Sequence, residues 1–498
     1  MIERIIDFSV RRRWLVLLIT LAAVVSGFWS LTKLPIDAVP DVTNVQVQVN
    51  AVAPALTPVE IEKQVTVALE TVLAGTPGLE STRSFSRNGF AQITAVFTDR
   101  TNIYFARQQV SERINEAKAN LPPSVDIKLG PISTGLGEIY WWAVEYAKPG
   151  AIAPVRDGQP GWQSDGTYLT PEGERLTDDF QRTVYLRTVQ DWIIRPQMKT
   201  VPGVAGADAI GGFVKQFQVQ PDPQRLISFG LSLNQVIEAI EANNVSRGAN
   251  YIEQNGEGYV VRASGRVENI EDISQIVVAT RAGVPIRVKD VADVVIGKEL
   301  RTGSASVNGR EVVLGTALML IGGNSRTVAA AADAKIKEIS RTLPPGIYAH
   351  TVLNRTQLVD ATIKTVATNL AEGALLVIVV LFLLLGNLRA AVVTACVIPV
   401  TMMLTATGML QGKISANLMS LGALDFGLIV DGAVIIAENS LRHLAERQRE
   451  FGRVLALDER LQTVKESAIE MIRPTVYGQL IIILVYVPLL TFTGVEGK

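Results

Sequence analysis

The sequence predicts a membrane protein: an α-helical transmembrane bundle carrying a large α+β region outside the cytoplasm. Three observations predict it. Apolar stretches long enough to span a bilayer lie near both ends of the chain. The region between them, residues 34–365, contains no such stretch and alternates strand-like runs with capped helical ones. Lys and Arg gather on one side of the apolar stretches, which fixes their orientation.

Composition narrows the function. The chain has 498 residues, more than one domain usually holds, and is 48% hydrophobic and 19% charged, as alternating membrane and soluble regions would give. A net charge of −1 offers no electrostatic case for nucleic acid. The single cysteine, Cys396, excludes an internal disulfide and any CxxC metal site; in its apolar run it is expected to be a packed core thiol. Two histidines, His350 and His443, argue against a histidine-rich enzyme metal site. No nucleophile constellation or phosphate loop is present, so enzymatic covalent chemistry is not expected.

The elements follow in order. Residues 1–33 form a short basic N-terminus ending in Arg11, Arg12 and Arg13, then a first span from Trp14 to Leu31. The arginines hold the N-terminus in the cytoplasm. Residues 44–133 read as one unit. Alternation from Asn44 to Ala51 predicts a strand, and Thr57-Pro58-Val59-Glu60 is a capping box opening a helix to about Gly75. Strands Glu80–Phe85 and Ala91–Thr98, helix Asn102–Leu121 and strand Asp126–Leu129 complete a β-α-β-β-α-β order, which is ferredoxin-like. Residues 137–355 form a second subdomain. Its Gly-, Pro- and Asp-rich stretch Lys148–Asp179 reads as a surface insertion. Helices are expected over Phe180–Val201, Ser232–Asn244, Ile270–Val278 and Ser325–Leu343. Strands are expected over Phe213–Val219, Tyr259–Ala263, Ile286–Val288, Val312–Met319 and Ile347–Leu353.

Residues 366–498 hold four further spans: Ala367–Leu385, Ala390–Leu410, Met419–Asn439 and Pro474–Phe492. The polar stretch 440–473, rich in Lys and Arg, reads as a cytoplasmic loop. The span Met419–Asn439 carries the chemistry, because three acids lie in it: Asp425, Asp431 and Glu438. A charge at the centre of a bilayer costs at least about 2.5–3.5 kcal/mol, so such acids are usually functional. At about 100° per residue the three share one broad side of a helix. They read either as a proton or cation relay or as buried acids paired with bases on a neighbouring helix. No other apolar span supplies an interior Lys or Arg for the latter.

The run DFGLIVDGAVIIAEN, Asp425 to Asn439, resembles the fourth transmembrane helix of the heavy-metal efflux branch (CzcA type) of the resistance-nodulation-division (RND) transporters. Asp425, Phe426, Gly427, Asp431, Gly432, Ala433, Glu438 and Asn439 match the pattern of that branch. The adjacent aspartate pair of the multidrug branch is missing. LPIDAVPDVTN, Leu34 to Asn44, adds to the resemblance. It implies the N-terminal half of an inner-membrane pump, the second half being absent, with a periplasmic porter domain of ferredoxin-like subdomains and a docking segment near Gly203–Glu299. It implies proton-driven export of divalent Zn, Co, Cd or Ni, with Asp431 as central proton carrier and Asp425 and Glu438 as partners. Direct passage of the metal along these acids is the alternative role. Gly427 and Gly432 would let a neighbouring helix approach closely. Glu138, and more weakly Asp191, correspond to acidic metal ligands of the porter; a solvated acid or helix cap is the plain reading of either.

The resemblance further implies a homotrimer working with a periplasmic membrane-fusion adaptor and an outer-membrane channel, bedded in lipid, with no cofactor beyond the transported cation. Two other functions stay open: RND export of organic compounds, and a non-transporting membrane scaffold that would not need the acids.

Overall fold

The computed structural model describes residues 2–37, 41–263, 265–281, 283–299, 301, 303–385, 387–412, 414–417 and 426–488. Helix α1 (Ile2–Arg11) meets the membrane helix α2 (Arg13–Lys33) at an elbow. The basic N-terminus is therefore an ordered helix, in which Glu3 and Asp7 also pair with bases.

The first soluble unit builds one antiparallel sheet from β1 (Val45–Val52), β2 (Leu79–Arg87), β3 (Phe90–Phe97) and β4 (Asp126–Leu129), in spatial order β2-β3-β1-β4. Between β1 and β2 run α3 (Pro58–Ile61), a wider π-turn (Glu62–Thr66) and α4 (Val67–Leu73). Thr57 and Glu60 close the expected capping box reciprocally. Helix α5 (Ile103–Ala117), capped by the Asn102 side chain, follows β3. Alternation along β1 puts Val47, Val49 and Ala51 on the helix-covered face. They meet Ile61, Val65, Leu69, Val110 and Ile114 in a core that is aliphatic but for Phe97.

The second unit repeats the plan with a heavier core. Strand β5 (Glu138–Tyr146) is its centre. The stretch expected as a surface insertion is mostly exposed and holds a small sheet, β6 (Gly161–Trp162), β7 (Tyr168–Leu169) and β8 (Arg175–Leu176). Tyr168 is fully buried, donating from its hydroxyl to Pro345 O at 2.9 Å, and Trp162 Nε1 donates to Ala147 O at 2.9 Å. Aromatic burial thus ties that excursion into the main core. Helix α6 (Asp179–Val189), a π-turn (Gln190–Ile194) and α7 (Arg195–Met198) lead to β9 (Val204–Ile210).

A separate lobe follows. Strand β10 (Lys215–Pro221) pairs with the distant β15 (Ala292–Lys298). Between them come α8 (Pro223–Phe229), α9 (Leu233–Asn243), the hairpin β11 (Arg247–Gln254) and β12 (Glu257–Ala263), α10 (Ile270–Ser274), β13 (Val277–Arg281), β14 (Val284–Arg287) and α11 (Val288–Val291). The expected helix Ile270–Val278 is shorter: α10 ends at Ser274, and Val277 opens β13, which pairs with β14.

The chain then returns through β16 (Ala305–Val307), β17 (Arg310–Met319), α12 (Ser325–Ile339) and β18 (Ile347–Asn354). The sheet order is β16-β17-β5-β18, with β9 also on β17. Trp142 lies across Gly315, its register partner; a Cβ there would stand 2.2 Å from the indole. Trp142 Nε1 donates to Gln190 at 2.8 Å. Burial next to the Asp333 carboxylate raises the Tyr140 phenol, whose hydroxyl donates to Asp333 at 2.9 Å.

Strand β18 ends at Asn354 and helix α13 (Arg355–Leu385) begins at the next residue. Arg355 pairs with Asp37 at 3.2 Å and Arg326 with Asp360 at 2.6 Å across this junction. Then come α14 (Leu388–Ala395), α15 (Val397–Gln411), α16 (Phe426–Phe451) and α17 (Leu457–Tyr486). Among the described residues, four helical stretches are long and apolar enough to cross a membrane: Arg13–Lys33, Arg355–Val380, Leu388–Gln411 and Leu457–Tyr486. The start of the expected span Met419–Asn439 lies outside the described residues, as does the end of Pro474–Phe492.

Residues 440–473, expected as a cytoplasmic loop between two spans, are mostly helical: α16 and α17 continue through them and turn at residues 452–456. One expectation for this part is corrected. Cys396 is exposed at the α14–α15 joint rather than packed in a core.

Candidate functional site

Helix α16 contributes three differently used faces. Val434 packs, alongside Ala374 and Val377 of α13 and Met402 of α15, against the buried pair Ala391 of α14 and Ile398 of α15. About 170° around the helix, Gly432, Asn439, Ser440, His443 and Arg447 form the seam against α17. At Gly432 a Cβ would stand 2.9 Å from Gln479 Nε2. Asn439, 5% exposed, donates from Nδ2 to Ser467 O and to Glu470 Oε2, each at 3.2 Å, and its Oδ1 accepts from Arg442 at 2.8 Å. Ser440 and Ser467 share a hydrogen bond of 3.0 Å. His443 Nε2 is 3.0 Å from Glu470 Oε2, near enough for an ion pair but not aligned for a hydrogen bond. Arg447 reaches Glu466 at 2.6 Å and Thr463 at 3.1 Å.

Between these two packed faces lies a third that the described helices leave open. Glu438 and Ile435 are exposed there. Position 431 falls on the same face, two turns or about 10 Å before Glu438. Only the backbone of residues 426–431 is described, so Gly427 and Asp431 are placed on α16 without their side chains. Asp425 lies outside the described residues.

The soluble candidates separate. Glu138 begins β5 as an exposed residue opposite Leu318. Asp191, in the π-turn after α6, is held between two arginines: Arg187 Nε at 2.7 Å and Arg195 NH1 at 3.6 Å. Arg187 also donates to Gly211 O at 2.8 Å and Arg195 to Ala207 O at 2.7 Å, so the acid clamps the helix to β9. Among the described residues no three His, Cys, Asp or Glu side chains converge as a metal cluster.

Sequence reasoning missed the arginine clamp on Asp191, whose i±4 spacing was the available signal. It also missed Gly27. A Cβ on Gly27 would stand 2.4 Å from Met403 Cβ and 2.5 Å from Met403 O, so α2 and α15 touch there almost backbone to backbone.

Residues 5–498 match the model of the AcrB/AcrD/AcrF family. The chain belongs to that family. Within the AcrB/AcrD/AcrF family its resemblance to the heavy-metal efflux branch holds. The nickel and cobalt resistance protein CnrA of Cupriavidus metallidurans is 58% identical, the match covering 100% of this chain and 46% of that protein. The cobalt-zinc-cadmium resistance protein CzcA of the same organism is 54% identical, covering 100% and 45%. A crystal structure of a heavy metal efflux pump superposes with a TM-score of 0.81 at 31% identity, over 99% of this chain and 45% of that one. The chain thus spans about half the length of the curated relatives it matches.

Proposed function

We propose that this chain is part of the inner-membrane component of a tripartite pump that exports divalent cations, Ni, Co, Zn or Cd, in exchange for protons. The observation that carries the reading is the open face of α16, where an acid stands on a helix otherwise packed on both flanks. The metal-resistance relatives support the cargo. Asp431 is the proton carrier in this reading, with Asp425 and Glu438 as partners. Carboxyls that interact take up and release protons as a set, which suits alternating exposure to two compartments. Each proton moving inward releases about 2.3 kcal/mol per 100 mV of membrane potential.

The two β-α-β-β-α-β units are read as ferredoxin-like porter subdomains on the periplasmic side, and the β10–β15 lobe as the segment that docks to the outer-membrane channel. Glu138 is the favoured porter ligand, since its carboxylate stands exposed. Asp191 is assigned to structure, because two guanidinium partners neutralise it. The pump would act as a homotrimer with a membrane-fusion adaptor.

Metal accumulation in cells lacking their own exporters tests the reading, using the complete pump and its partners. Native protein is expected to lower accumulation of one or two divalent ions, and Asp431→Asn to abolish that effect at normal expression. Export of organic compounds with no change in any metal would replace this proposal.

A further inference from the structure

The elbow between α1 and α2 builds a charged site unconnected with the acids of α16. Helix α1 lies along α17, tied to it by the ion pairs Glu3–Arg473 and Asp7–Lys465. Between the elbow and the first turns of α17 a cleft of about 680 Å³ opens. Arg11, Arg12, Arg13 and Lys465 line it, against only Asp7 and Asp458. Asp7 already serves both Lys465 and Arg11, whose Nε lies 3.0 Å away. The Lys465 contact, with Arg11 adding to it, holds the Asp7 carboxyl below its usual range, so this acid stays ionised and committed.

The two remaining arginines differ. Arg12 sits over the Phe8 ring, 5.9 Å from its centroid, and neither it nor Arg13 forms an ion pair with a described carboxylate. Both are exposed, and Arg12 caps α2 without a side-chain hydrogen bond, so both guanidinium groups stay available to an anion.

The wall of the cleft is apolar. Val10, Trp14, Leu15 and Leu461 contribute to it. Trp14 is 76% exposed, and the surface continues down α2 through Leu18 and Leu21, each 64% exposed. A cationic rim above an apolar wall at the start of a membrane helix has the polarity of a phospholipid at the bilayer interface.

We propose that this cleft binds the phosphate headgroup of an anionic phospholipid of the cytoplasmic leaflet. Arg12 and Arg13 hold the phosphate, and the acyl chains run down the Trp14–Leu15–Leu18 face of α2. The bound lipid then pins α1 against α17, the helix that seams with the acid-bearing α16.

The test uses the complete pump in detergent, titrated by native mass spectrometry with short-chain phosphatidylglycerol, phosphatidylcholine and free glycerol phosphate. Phosphatidylglycerol is expected to bind at about tenfold lower concentration than phosphatidylcholine, the effect of one to two basic side chains near an anionic lipid. The double variant Arg12→Gln/Arg13→Gln should bring the two lipids within about twofold, while Arg12→Lys/Arg13→Lys keeps most of the preference. An undiminished preference in the Gln pair overturns the site. So does the absence of any preference in the native pump, a result that needs no variant. Displacement of the lipid by glycerol phosphate at equal concentration would show an anion site rather than a lipid site and would equally overturn it.

Discussion

Two helix pairs in the membrane part are joined by opposite means. Helices α2 and α15 meet at Gly27, where the neighbour is the Met403 backbone and Cβ, and a further tie at their ends is made by backbone alone: Asp37 N donates to Ala416 O, and Ala416 N to Pro35 O. Helices α16 and α17 meet through side-chain hydrogen bonds around Asn439, Ser440 and Ser467, and Gly432 faces side chains alone, the movable end of Gln479 and the Thr475 methyl. The first pair is held by shape and tolerates no added atom. The second is held by polar partners and tolerates an added atom better than a lost one.

The comparison can be broken by substitution, starting with its strongest claim. Gly27→Ala forces a Cβ into the Met403 backbone and should cost roughly 1–3 kcal/mol or more, seen as a lowered thermal midpoint of the purified protein and poor recovery. Asn439→Ala should follow closely, at about 1–3 kcal/mol, because it strands Arg442 and the Ser467–Glu470 side of the seam. Gly432→Ala should cost less, about 1 kcal/mol, since Gln479 can swing aside and the Thr475 methyl, 3.3 Å from the new Cβ, need give by only a few tenths of an ångström. If Gly432→Ala proves as damaging as Gly27→Ala, the contrast between the two seams fails.

The smallest effect sharpens the picture at the far end of the polar seam. Glu459 closes the turn between α16 and α17, accepting from Arg453 at 2.7 and 2.8 Å and from Ala456 N at 2.7 Å. The Arg453 contact, then the backbone bond, pull its carboxyl from 4.5 to about 2. A depressed carboxyl stabilises the fold above its unfolded value and loses that contribution as pH falls. The turn should therefore hold above pH 4.5 and loosen progressively towards pH 2, as read by hydrogen exchange at residues 452–456. Glu459→Gln should show the loosened turn already at neutral pH.

What the sequence made legible was local. Thr57, Asn102 and Ser232 announce helix starts because a capping side chain bonds its own first turn, and each does so. The alternation in β1 gave its buried face for the same reason. The insertion 148–179 is largely exposed, as its composition suggests, but its anchoring was hidden because Tyr168 meets Pro345 far away in sequence. The short helix at Ile270 was overrun because Ile276 to Val278 is an apolar run that fits either period. At the site, Asp431 and Glu438 stood out as charges in an apolar stretch. The partners of Asn439 lie 28 and 31 residues on and were invisible until α17 folded back. Gly27 gave no signal, since one glycine in an apolar span says nothing of what it touches.

The junction of β18 and α13 has a mechanical meaning. Strand and helix share a boundary at Asn354 and Arg355 with no residue between them, and Arg355–Asp37 and Arg326–Asp360 brace it on either side. A joint without slack transmits torque. Any tilt of α13 in the bilayer swings β18, and through its ladder with β5 the whole second sheet, as one lever.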